Sequence, residues 1–171
     1  SPQLEGFVAR GLEVLLLSDP IDEFWVTAVP DYDGKPFKSI TRGDIDLGAF
    51  KTGDDDGKAD EKPPLAEGMD ALVVVLREAL GEAVKDVRTS ERLTDSAVCL
   101  IADEGALDMR LERLLREHKQ LGQAAQKILE INPQNPLITA LAGRAKESPT
   151  DPALADAAQL LLDQARVIEG E

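Results

Sequence analysis

The chain has 171 residues, 43% of them hydrophobic and 30% charged, enough for one domain or two small ones around a real core. Its formal net charge of −14 repels phosphate backbones and anionic lipid, which excludes nucleic-acid binding as a main task and disfavours membrane docking. A single cysteine excludes an internal disulfide framework and suits a reducing compartment, with the cytoplasm as default.

In chain order, QLEGFVARG offers a short amphipathic helix ending at Gly11. EVLLLS, residues 13–18, has the length and apolar content of a buried strand. Asp19 and Pro20 form an N-cap followed by a first-turn proline, so a helix is expected over 21–29, with Asp22 favoured by the helix dipole. DYDGKPF is turn chemistry, and FKSIT is a second short strand. The opening SPQLEGFVAR lacks the basic start and apolar core of a secretion signal, and no apolar run reaches the roughly 20 residues of a membrane helix.

Residues 51–62, KTGDDDGKADEK, are too poor in apolar side chains to order themselves and read as an acidic linker between two units. Beyond it, PPLAEGMDALVVVLREALG is a helix opened by proline and closed by Gly81. VKDVRTS and AVCLIA are strands joined by ERLTDS, and EGALDMRLERLLREHK is a strongly amphipathic helix. QKILEINP fits helix or strand; Pro133 favours the strand. Asn135-Pro136 and Asp151-Pro152 announce two further helices. The last carries Leu154, Ala158, Leu161, Ala165 and Ile168 at heptad spacing, with Leu160 and Val167 on a second stripe, a pattern suited to a bundle made with a second chain.

Catalytic chemistry finds little material. Cys99 sits in an apolar strand pattern that buries it and blunts its reactivity. His118 is the only histidine, which argues against a metal cluster or a Ser-His-Asp arrangement. DYDG and GDDDGKADE fail the spacing of a calcium loop, and neither GxxxxGK[ST] nor GxGxxG occurs. No catalytic residue and no metal ligand is assigned. Two features admit a functional reading beside plain core packing. One is the stripe Leu107, Leu111, Leu114 and Leu115, flanked by Met109. The other is DEFW, residues 22–25, whose two adjacent rings point about 100° apart on a helix, so that at least one leaves the core face.

The ordered series GLEVLLLSDPIDEFW, YDGKPFKSI, RLTDSAVCLI, MRLERLLREH and LEINPQNPLI resembles the C-terminal third of the heat-shock protein 90 chaperones, in their bacterial branch. The resemblance implies an α+β chain. Residues 1–50 would be a small α/β/α unit ending a middle domain, 51–62 a linker, and 63–171 a C-terminal dimerisation domain. That last domain would combine a short β-sheet with a helical dimerisation bundle, and its final helix would be lacking. ATP and Mg would belong to the N-terminal domain of the parent, an ATPase, and this fragment would hold no cofactor. Carried over residue by residue, client-binding positions fall on Glu23, Phe24 and Thr27, with Trp25 beside them where the family's tryptophan is displaced by one. A second client-contact helix matches Leu107, Leu111, Leu114 and Leu115, with Met109 flanking.

The expected function is therefore a non-catalytic part of a cytoplasmic chaperone that forms a homodimer and offers apolar surface to unfolded or partly folded clients. The competing reading is a purely structural dimerisation module with both apolar features packed inside. A small carboxylate-dependent hydrolase is a distant third.

Overall fold

The computed structural model describes residues 1–47, 64–105, 112 and 125–170. It is a mixed α+β arrangement of helices with two small sheets. A 3-10 turn, Pro2–Leu4, runs into helix α1, Glu5–Ala9, and the chain leaves it through Gly11 at φ +66. Helix α2, Pro20–Ala28, starts where the Asp-Pro signal places it. The Asp19 carboxylate accepts the Ile21 N–H at 3.1 Å, and the Asp22 carboxylate accepts the Asp19 N–H at 2.9 Å. This reciprocal cap satisfies two amides that the first helical turn leaves open. Strands β1, Asp31–Tyr32, and β2, Lys35–Pro36, form a hairpin over Asp33 and Gly34. Both turn residues have positive φ, 52° and 72°, as a two-residue turn of the favoured hand requires.

Two expected strands are not formed. EVLLLS joins no ladder among the described residues, and Leu15 and Leu16 lie exposed. FKSIT is irregular; nearby, Arg42 alone forms an isolated bridge to Ala102. A strand needs a neighbour for its backbone groups and a layer for its apolar face, and the described elements give these segments neither. The expected linker, 51–62, and most of the expected helix over 104–119 lie outside the described residues.

Helix α3, Met69–Leu80, opens after Gly68 and not at the prolines before it, and closes at Gly81. Gly68 combines φ +85 with a close approach: a Cβ there would stand 2.2 Å from the Ala142 carbonyl oxygen. Strands β3, Asp86–Thr89, β4, Val98–Ile101, and β5, Ile128–Ile131, follow, the last confirming the strand reading of QKILEINP. β5 inserts between the other two, parallel to β3 and antiparallel to β4. Helices α4, Pro136–Glu147, and α5, Pro152–Glu169, begin at the predicted caps. Asn135 accepts the Leu137 N–H at 3.0 Å, and Asp151 the Ala153 N–H at 2.9 Å.

Helices α3 and α5 cover one face of the sheet, and α4 packs against α3. Leu72, Leu76 and Leu80 of α3, spaced by one helical turn, meet Ile138 and Ala142 of α4 and Leu154, Ala158, Leu161 and Ala165 of α5. Val87, Val98, Leu100, Leu129 and Ile131 complete this core from the strands. The alternate strand residues Cys99, Ile101 and Ile128 gather with Leu93 on the opposite face. Burial and the nearby Glu130 carboxylate push the Cys99 thiol far above its ordinary range, which keeps it protonated and unreactive.

The residues of the expected dimerisation seam divide between core and surface. Leu154, Ala158, Leu161 and Ala165 are buried within the chain's own core, and of the five only Ile168 is exposed. Heptad spacing reports that a helix face is apolar, but α3 and β4 of the same chain already cover this one.

Candidate functional site

Helix α2 carries an apolar face that joins neither core cluster of the described residues. Phe24 is 51% exposed and Trp25 44%, and Ile21 and Ala28 lie on the same side at spacings of three, four and seven. The Trp25 ring is steadied by Phe37 from beyond the hairpin, with centroids 5.6 Å apart and planes tilted by 55°. A tilted pair of this kind holds one ring by its edge while leaving a face open. Thr27, three residues from Phe24, is exposed on the same helix. Glu23 lies between Asp22 and the two rings in sequence. Asp22 is committed to the cap of its own helix. Both adjacent aromatics thus remain accessible, where sequence reasoning required only one.

The other expected contact residues, Leu107, Met109, Leu111, Leu114 and Leu115, lie outside the described residues. On α5 the outer face is the second stripe: Leu160 is 70% exposed and Val167 73%, with Ile168 beside them and Ala153 and Gln164 continuing the row. Leu160 and Val167 are seven residues apart, so one flank of the helix is apolar and open while the other is core. These two outer residues, with Ile168, are the large apolar groups that α5 leaves exposed.

A third feature escaped the sequence reading. On the sheet face opposite the helices, Arg92 and Glu130 are only 2% and 3% exposed. Arg92 Nε stands 2.9 Å from Glu130 Oε2, and Arg88 Nη2 3.0 Å from Glu130 Oε1. The Ser90 hydroxyl donates to Glu130 Oε2 at 2.7 Å. A buried carboxylate is stable only when its lone pairs are taken up in this way. The signal was present in RTSER, an unbroken polar run in which Arg88, Ser90 and Arg92 fall at every second position, and in ILEI, where one charge interrupts an apolar strand.

Beside this cluster is a cavity of roughly 260 Å³ lined by Asp44, Asp46, Arg88, Glu91, Arg92 and Glu130 among others. Four carboxylates face two arginines that are already paired, so the lining does not suit a nucleotide triphosphate. Among the described residues no group of three His, Cys, Asp or Glu side chains is placed to hold a metal ion. No described helix is long and apolar enough to cross a membrane.

Residues 1–170 match the family model described as Hsp90 protein. Over its whole length the chain is 57% identical to the chaperone protein HtpG of Paramagnetospirillum magneticum and 53% identical to that of Roseobacter denitrificans. It is 45% identical to the chaperone protein HtpG of Wolbachia pipientis, again over all of the chain. It spans 27%, 28% and 27% of the length of these three relatives, a little over a quarter of each.

Proposed function

This chain belongs to the Hsp90 family, and we propose that it is the non-catalytic C-terminal part of a longer, cytoplasmic, ATP-dependent chaperone. In that reading residues 1–50 end a middle domain, and residues 63–171 form the domain through which two copies associate. ATP and Mg are handled elsewhere in the parent, in keeping with an acidic cavity whose arginines are paired. The observation that carries the reading is the side-by-side exposure of Phe24 and Trp25 on α2. Together with Glu23 and Thr27 they make a contact surface for unfolded or partly folded clients. Leu107, Met109, Leu111, Leu114 and Leu115 supply a second.

The physical case rests on what a general chaperone surface requires. Aromatic rings bury large area at small cost in side-chain entropy, and scattered acidic residues keep such a surface from closing on another copy of itself. Contacts to diverse unfolded segments are individually weak, so several patches on two protomers gain by acting together. For association of the two copies, the outer flank of α5, with Leu160, Val167 and Ile168, is the surface that remains after the inner flank is taken up by the core.

A permanently unfolded probe, reduced and carboxymethylated α-lactalbumin, tests the client surface directly. The chain is expected to bind it weakly, and Phe24→Ala with Trp25→Ala to weaken that binding about tenfold with the thermal midpoint nearly unchanged. Undiminished binding by the double variant would remove α2 from the client surface and favour the purely structural reading. For association, Leu160→Asp with Val167→Asp is expected to shift the light-scattering mass from twice 18.5 kDa toward 18.5 kDa.

A further inference from the structure

Residues 8–42 include no buried side chain among those whose burial is described. A segment without a buried residue has little packing with which to fix its own orientation, and it is bonded to the rest of the chain at its two ends, where Arg10 donates to the Leu47 carbonyl at 2.9 Å and the Thr41 carbonyl accepts the Ala102 N–H at 2.8 Å. Yet the chain on both sides of it is firmly held, and at the same place. Pro2, Gln3, Gly6 and Phe7 are buried before it, and Gly43 and Leu47 after it. Both stems meet the loop Ser90–Ser96, which joins β3 to β4.

The first stem docks through backbone and carboxylate. Gly6 N–H donates to the Arg92 carbonyl at 2.7 Å. The Glu5 carboxylate accepts the N–H groups of Thr94 and Asp95, each at 2.9 Å, and of Ser96 at 3.1 Å, together with the Ser96 hydroxyl. The approach is as close as it can be: a Cβ on Gly6 would stand 2.7 Å from both the Arg92 carbonyl oxygen and Leu47 Cδ1. The second stem docks through the guanidinium of the same arginine and through a backbone bridge to Ala102 at the end of β4, where Gly43 N–H donates to the Ala102 carbonyl at 3.0 Å and Ala102 N–H to the Thr41 carbonyl at 2.8 Å. Arg92 donates to the carbonyls of Ile40 and, at 2.8 Å, of Gly43, while its Nε is held by Glu130. Arg88 adds a bond to Gly43 and an ion pair with Asp44.

We propose that the Ser90–Ser96 loop is a two-point mount, with Arg92 as the shared positioning residue, that sets the direction in which the 8–42 segment and its α2 face project from the helix-covered sheet. One residue serves both stems, its carbonyl the first and its side chain the second, so the stems cannot move independently. The two attachments differ in kind. Glu5 is bound at the partly exposed rim of the loop, where water can replace its bonds. Arg92 and Glu130 are enclosed, so releasing them leaves a charge without a partner in the interior. Loosening therefore begins at Glu5, with the second stem as the pivot. The mount stands without the client-binding reading, since it concerns geometry alone.

Spin labels read this directly. Ala28→Cys on α2 and Ala140→Cys on α4 are both exposed positions, and buried Cys99 stays unlabelled. The unsubstituted chain is expected to give a narrow distance distribution. Glu5→Gln and Gly6→Ala are each expected to broaden it about twofold or more, as local release does without global unfolding. A control pair, Ala140→Cys with Ala155→Cys on α5, is expected to keep its distribution in every variant. Should Gly6→Ala fail to fold, Glu5→Gln at the rim decides alone. A distribution already broad in the unsubstituted chain, an unchanged one in folded Glu5→Gln, or equal broadening of the control pair would each overturn the mount.

Discussion

Residues 64–105 and 125–170 contrast with residues 8–42 in what they do with the same kinds of side chain. In the first, Leu72, Leu76, Leu129 and Leu154 point inward from helices and strands that face one another. In the second, Leu15, Leu16, Ile21, Phe24 and Trp25 lie exposed on a helix and an extended segment, with the Phe37 ring against Trp25 as the one aromatic contact among the described residues. Composition does not separate the two regions. What separates them is whether a second layer stands about 10 Å away to receive the apolar face. One region has a core of its own, and the other leaves Leu15, Leu16, Ile21, Phe24 and Trp25 exposed.

Substitutions sharpen the contrast because the same chemical change has unequal effects on the two sides. Glu130→Ala has the largest expected effect, destabilising the chain by about 3–5 kcal/mol in urea unfolding, since it leaves Arg92 enclosed without its partner. Asn135→Ala removes the cap that takes the Leu137 N–H and is expected to lose about 1 kcal/mol in the same measurement. Phe24→Ala, a far larger truncation on the open face of α2, is expected to change stability by no more than about 0.5 kcal/mol. Comparable losses at Phe24 and Glu130 would mean that the 8–42 segment has a core after all.

The smallest effect is a pH dependence seated at the join of the two regions. Burial pushes the Glu5 carboxyl up, but the Ser96 hydroxyl and the amides of Asp95, Thr94 and Ser96 outweigh it and hold the group below its ordinary 4.5. A carboxyl lowered by folding adds stability above its unfolded value and loses it as pH falls through the folded one. Urea midpoints are therefore expected to fall as pH drops below 4.5, and less steeply in Glu5→Gln. Identical slopes would show that the rim contact carries no linkage.

What the sequence alone determined is local. The starts of α2, α4 and α5, the hairpin turn at Asp33-Gly34, the close of α3 at Gly81 and the burial of Cys99 all follow from side chains acting within a few residues of themselves. The ordered motifs likewise pointed to the family before any fold was visible. Tertiary structure decided everything that needed a distant partner. Whether EVLLLS pairs, which flank of α5 becomes core, where β5 inserts and why Arg92 and Glu130 lie within the sheet's far face depend on groups many residues away. Periodicity states that a face is apolar, and a cap states where a helix begins. Neither can state what stands opposite, because that is set by closing long loops of chain and by the burial that results.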